Sequence, residues 1–175
     1  MKKNGFYYAL GLLFFVALKI AYTQMDANDL IFILRPTDQI ISFLTNSKGI
    51  FLTGAGYFHE DLNILIEKSC SGFNFFSLSF LIGYFVSVNH FHHKKHKWLA
   101  LALSLLAAWM LTLFVNASRI IVAIFLKKLA IPLPGADKWL HQAEGTFVYL
   151  FFLILFYKTL NYLLTQYFPK NEKFA

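Results

Sequence analysis

The chain has 175 residues, 58% hydrophobic and 19% aromatic against 14% charged, with a mean hydropathy of +0.55. A soluble domain of this length has too little interior to bury that much apolar surface, so composition excludes the soluble classes and points to an integral membrane protein. The net charge of +7 gathers in lysines at the ends of apolar runs, which assigns it to membrane orientation and not to nucleic acid.

A bilayer crossing needs about 20 apolar residues, or a few fewer with flanks that reach the headgroups. The first run to qualify is 6–22, behind Lys2 and Lys3; no small-x-small cleavage site follows it, so it is read as a retained span and not a signal peptide. The loop 23–69 is long enough for structure of its own. Pro36-Thr37-Asp38 is expected to open a short amphipathic helix with Ile40, Ile41, Phe43 and Leu44 on the membrane surface. Residues 50–52, the turn Gly54-Ala55-Gly56 and residues 62–67 read as a small β-hairpin. The second span, 70–88, and the third, 98–115, contain no charge. Residues 120–133 are apolar but interrupted by Lys127 and Lys128 and stopped by Pro132 and Pro134, which predicts an interfacial or re-entrant helix too short to span. The fourth span covers about 145–165. The expected fold is an all-α polytopic bundle of about four transmembrane helices in one domain over 1–175, with interfacial helices and a small extracytoplasmic hairpin.

Lys2 and Lys3, then Lys94, Lys95 and Lys97, then Lys170 and Lys173 fall on one side if four spans alternate, and the positive-inside rule makes that side cytoplasmic. Eight of the nine acidic residues (Asp26, Asp29, Asp38, Glu60, Asp61, Glu67, Asp137 and Glu144) fall on the other.

Three reactive side chains lie at the outer ends of these runs. Cys70, the lone cysteine, excludes an internal disulfide and leaves one thiol to explain. It sits where extended chain becomes a membrane helix, and a helix N-terminus favours the nucleophilic thiolate. Ser71 and Gly72 beside it are expected to leave room for a substrate backbone. Arg119 ends the third span on the side that the positive-inside rule disfavours, and donating hydrogen bonds to a developing oxyanion would account for it. His141 follows Trp139 at headgroup level, where an imidazole can take or return a proton. Asn116, three residues before Arg119, shares its helical face. Asn116, Asn74 and Glu144 are the candidates for binding substrate or supporting the three. The aromatic residues Phe73, Phe75, Phe76, Phe80, Tyr84 and Phe85 give the second span a surface whose default partner is lipid. The cluster His90, His92, His93 and His96 invites a metal reading, with His92 and His96 on one helical face, but no acid or cysteine accompanies it. Neither a metal nor a cofactor is expected.

On Cys70-Ser71-Gly72, on Asn116-Ala117-Ser118-Arg119-Ile120, and on His141 with Gly145 in the next helix, the chain resembles the exosortase/archaeosortase family of multispanning membrane cysteine transpeptidases. The resemblance covers most of the chain from Leu30 onwards, with one transmembrane helix between successive members of the order Cys, Arg, His. Ile33-Leu34-Arg35-Pro36-Thr37 and Gly54-Ala55-Gly56-Tyr57 are most similar to the exosortase K subgroup. The chain is shorter than the larger exosortases. The resemblance implies a substrate that ends in a tripartite sorting signal: a motif, a transmembrane helix and a basic tail. It thereby implies a substrate helix as the other partner for the aromatic surface of the second span. It implies Cys70 as the nucleophile that forms an acyl-thioester, His141 as general acid/base and Arg119 as stabiliser of the tetrahedral intermediate. The acyl group would pass to an unknown acceptor at the outer face of a bacterial inner membrane. The alternative class is a non-catalytic membrane assembly or scaffold protein, in which Cys70 packs and Arg119 anchors. A transporter fits less well, because no charge lies at the middle of a span.

Overall fold

A computed structural model describes the backbone of residues 4–129 and 136–168, and the side chains of 4–126 and 145–168. Helix α1 (Gly5–Gln24) is followed by α2 (Ile31–Thr45) and strands β1 (Gly49–Leu52), β2 (Gly56–His59) and β3 (Ile64–Ile66). A 3₁₀ turn (Lys68–Cys70) then leads into α3 (Phe73–His90), α4 (Lys94–Leu129) and α5 (Ala136–Tyr167). Four helices are long and apolar enough to cross a membrane: Gly5–Gln24, Lys68–His90, Lys94–Leu126 and Gly145–Tyr167. The protein is an all-α polytopic membrane protein, as the runs predict.

Helix α3 is the hub of the bundle. Its most apolar window is 67% buried, against 11% in α1 and 6% in the last span, so the outer helices turn most of their surface to lipid. The α1–α3 seam is a ladder of ring pairs, Tyr8 on Phe85 at 5.1 Å, Phe14 on Phe80 at 5.2 Å and Tyr22 stacked on Phe73 at 4.7 Å. Gly11 belongs to the same seam, since a Cβ there would come within 2.6 Å of the Tyr84 ring. Small polar residues let α3 approach its neighbours, and two of them pair their hydroxyls locally: Ser77 and Ser87 return them to the carbonyls of Phe73 and Gly83, each at 2.8 Å. Phe73, Phe75, Phe76, Phe80 and Tyr84 are buried in this core, leaving only Phe85 of the expected substrate surface partly exposed. Those rings hold helices together, which corrects the expectation.

At one end of the bundle the start of α1, the α3–α4 turn and the end of α5 meet. Lys97 donates to Asn4 at 2.5 Å and lies over the Tyr7 ring, Asn4 donates to the Val88 carbonyl at 3.3 Å, and His90 contacts the Phe168 carbonyl. Helix α4 starts only at Lys94, so His92 precedes it and does not share a helical face with His96; His93 instead faces His96, ring to ring at 5.5 Å.

The other end carries α2 and the strands. Helix α2 begins at Ile31, five residues before Pro36, where the sequence was expected to open it. A proline inside a helix deprives the carbonyl four residues earlier of its N–H partner. That carbonyl belongs to Phe32, and the Trp109 indole of α4 donates to it at 3.1 Å, so the missing bond becomes the one that fastens α2 to the bundle. The expected hairpin is a three-stranded antiparallel sheet in the order β1-β2-β3. Residues 64–66 pair with β2 and not with β1, in the register Tyr57↔Ile66, Phe58↔Leu65 and His59↔Ile64. The extra reversal is made at Asn63, left-handed at φ 48°, whose N–H bonds to the Glu60 carbonyl at 3.0 Å.

Helix α4 runs unbroken through 120–129, where a separate interfacial helix was expected. Nothing between Val115 and Leu129 breaks a helix, and Ser118 merely returns its hydroxyl to the Phe114 carbonyl at 2.8 Å. At about 1.5 Å per residue its 36 residues span about 54 Å, well beyond a hydrocarbon core of about 30 Å. The prolines at 132 and 134 lie outside the described residues.

Candidate active site

Cys70 closes the 3₁₀ turn between β3 and α3. Its amide donates to the Glu67 carbonyl at 2.9 Å and the Ser71 amide to the Lys68 carbonyl at 3.1 Å. The turn is clasped from α1, where the Tyr22 hydroxyl donates to the Lys68 carbonyl at 3.1 Å, and Lys68 itself donates back to the Met25 carbonyl and lies over the Tyr22 ring at 4.8 Å. The thiol is half-buried, with its sulfur 3.8 Å from the Ser69 hydroxyl. That hydroxyl spends its proton on Glu67 Oε1 at 2.6 Å, so it can only accept from the thiol.

The chain then bends at Gly72, left-handed at φ 72°, and α3 starts one residue later. Cys70 therefore stands two residues ahead of the N-cap instead of inside the first turn. Gly72 was expected to make space for substrate; it makes space for α4. A Cβ at 72 would come within 3.1 Å of both Asn116 and Thr112, while Ser71 is buried with its hydroxyl capping the Phe73 amide at 3.3 Å.

This close approach brings the fully buried Asn116 to Cys70, and its Nδ2 donates to the Cys70 carbonyl at 2.6 Å. The other side of the amide faces α5, where Tyr149 donates its hydroxyl to Asn116 Oδ1 at 2.9 Å. Arg119 Nη1 donates to the same hydroxyl at 3.2 Å, and the guanidinium carbon lies 5.2 Å from the Tyr149 ring centroid. Asn116 and Arg119 thus share a face, as their spacing predicts, and the bridge between them is a tyrosine. Arg119 also leans on Gly145, where an added Cβ would come within 2.4 Å of its Nε. That Nε is buried and finds no hydrogen-bond partner among the described residues.

The remaining candidates fall elsewhere. Asn74 is exposed on α3 and faces α1, accepting from Lys19, so it is not brought to Asn116 and Arg119. His141 and Glu144 belong to the stretch of α5 whose side chains lie outside the described residues. Tyr149 was overlooked, although a signal existed: it follows Gly145 by four residues, as Gly145 follows His141, which is the spacing of one helical stripe.

A second polar cluster lies under the sheet. His59 is fully buried, with Nε2 2.9 Å from Asp38 Oδ1 and Nδ1 3.1 Å from Ser47 Oγ, and Ser47 donates on to Asp61 at 3.5 Å. Serine, histidine and aspartate in one chain suggest a hydrolase, but Ser47 is 3% exposed and its proton is directed to Asp61. The cluster works as a clamp that pins α2 to β2. Burial raises the Asp38 carboxyl above the ordinary range, with the charge of His59 and its hydrogen bond opposing.

Residues 6–158 match the family profile described as transmembrane exosortase. No curated protein and no solved structure matches the chain. The match spans most of the chain and takes in Cys70, Asn116, Arg119, Gly145 and Tyr149, so this protein belongs to the transmembrane exosortase family.

Proposed function

We infer that the protein is a membrane cysteine transpeptidase or protease, most similar to the exosortase K subgroup. It processes exported proteins that end in a motif, a transmembrane helix and a basic tail. One observation carries the reading. The lone thiol stands in a clasped turn, and its own carbonyl is joined through Asn116 and Tyr149 to an arginine whose buried Nε has no hydrogen-bond partner among the described residues. A guanidinium at that place can donate to an anionic oxygen that develops during acyl transfer.

Cys70 attacks the scissile carbonyl carbon, forming a C–S bond while Arg119 donates to the oxyanion. His141 returns the thiol proton to the departing amine as the C–N bond breaks. An amine, a hydroxyl or water then displaces the sulfur, and the nucleophile's proton goes back to the thiolate through His141. No electron changes hands, so neither metal nor redox cofactor is required. The basic ends support a site on the extracytoplasmic side of a bacterial inner membrane. A substrate helix that carries its motif at the outer end would meet the site by diffusing in the bilayer plane.

The test is Cys70→Ala beside a tagged reporter that ends in such a signal. Loss of processing with normal accumulation of the variant is expected; continued removal of the signal would refute the assignment in favour of a scaffold role.

A further inference from the structure

Tyr149 occupies a position that nothing in the reaction as written above requires, and its surroundings are unusually determined. Its ring sits between Phe75 of α3, 5.0 Å away and tilted by 31°, and the Arg119 guanidinium of α4. Its hydroxyl is the joint of the polar chain that ends at Cys70.

The direction of every proton in that chain follows from its two ends. A guanidinium only donates, so the phenol oxygen accepts from Arg119 Nη1. A backbone carbonyl only accepts, so the Asn116 nitrogen faces Cys70 and its oxygen faces Tyr149. The phenol must therefore donate to Asn116, with its single proton. Reversing any one bond leaves a donor against a donor or an acceptor against an acceptor. The tyrosine thus fixes both the flip of the asparagine amide and the place of the guanidinium, and a phenylalanine of the same shape would fix neither. Gly145, four residues earlier, removes the Cβ that would otherwise push the guanidinium off the ring.

We propose that Tyr149 is a positioning residue of the transpeptidase site: it locks the Asn116 amide onto the Cys70 carbonyl and holds Arg119 at the matching place for the oxyanion. The proposal rests on the cysteine reading above. Among the described residues the Tyr149 hydroxyl bonds to Asn116 and Arg119, and no hydrogen bond joins it to the Cys70 sulfur. Its removal lets the nucleophile's turn and the oxyanion donor drift apart, and misplacement on the ångström scale costs up to about 100-fold in rate.

The experiment uses the full chain in proteoliposomes with a reporter ending in a motif, helix and basic tail. Tyr149→Phe is expected to lower kcat roughly 10- to 100-fold with KM within about twofold. Asn116→Ala is expected to do the same, and the double variant to be no worse than either alone, because both remove one connection. Incorporation of 3,5-difluorotyrosine at 149 separates positioning from mere packing. The more acidic phenol ionises at lower pH, a phenolate cannot donate to Asn116, and kcat should acquire an alkaline fall absent from the unmodified protein. A Tyr149→Phe enzyme with unchanged kcat, or additive losses in the double variant, would overturn the proposal. Should Tyr149→Phe fail to fold, the nearly isosteric fluorinated protein decides: an unshifted pH profile overturns the proposal and a new alkaline limb supports it. Cys70→Ala runs in parallel, and activity persisting in that control brings down the transpeptidase reading itself.

Discussion

Two buried polar clusters lie at the same end of this molecule, and they are finished differently. In the clamp, His59 uses both ring nitrogens and is buried under the sheet with Asp38 and Ser47, and Ser47 bridges onward to Asp61 at the surface. In the membrane cluster the chain of bonds from the Cys70 carbonyl through Asn116 and Tyr149 is equally tight, and it ends at a guanidinium whose Nε has no hydrogen-bond partner among the described residues. A polar cluster whose buried members are all paired gives rigidity, whereas a guanidinium at the end of such a chain can donate to a group that arrives. The chemically suggestive trio of serine, histidine and aspartate belongs to the first kind, and the proposed chemistry is assigned to the second.

The comparison breaks most sharply at two glycines. Gly145→Ala puts a methyl group into the space of the Arg119 side chain. The clash is with the end of a flexible side chain, so the helix should survive while the guanidinium moves. The expected result is a loss of about 100-fold in processing, on the scale of a removed oxyanion donor, with the unfolding temperature nearly unchanged. Gly49→Ala, in the clamp, should do the reverse. Its methyl would lie 2.0 Å from Asp38 Oδ1 and 2.9 Å from His59 Nε2, forcing the pair apart. A loss of about 1–3 kcal/mol from the fold is expected, the cost of buried groups left unpaired. It would be read as faster limited proteolysis within residues 25–67, with a smaller effect on kcat.

The smallest effect is a pH dependence. Because burial raises the Asp38 carboxyl in the folded protein, the fold favours its protonated form. That contribution is complete below the ordinary carboxylate range and is lost as pH rises through the raised value. Protease resistance of the segment should therefore decline across that window, and Asp38→Asn should remove the decline. A wild-type profile as flat as that of the variant would contradict the account of the clamp.

Much of this was legible because a bilayer imposes simple rules. The four apolar runs predicted four spans, and the meeting of Asn4, Lys97 and Phe168 agrees with the shared side assigned to the basic ends. Cys70, Asn116 and Arg119 stood out because a lone thiol and an arginine at a span end call for reasons. What the pattern concealed was packing. A membrane-length rule cut the third helix at 115, although a helix does not end where lipid does. Gly72 looks the same in sequence whether it admits a substrate or a neighbouring helix, and only its contact with Thr112 and Asn116 distinguishes them. Tyr149 is one of nine tyrosines in a chain rich in interfacial aromatics, so its hydroxyl carried no mark beyond a four-residue spacing. The α2 start was hidden because Pro36 reads as a beginning unless a partner such as Trp109 takes up the carbonyl it frees.

The most direct measurement is the intact mass of the purified protein caught during turnover of a signal-bearing substrate. An adduct confined to Cys70, matching the substrate's new C-terminus and released by hydroxylamine, is what a thioester mechanism predicts. A substrate that is cut while the sole sulfhydryl stays unmodified and remains dispensable would contradict it.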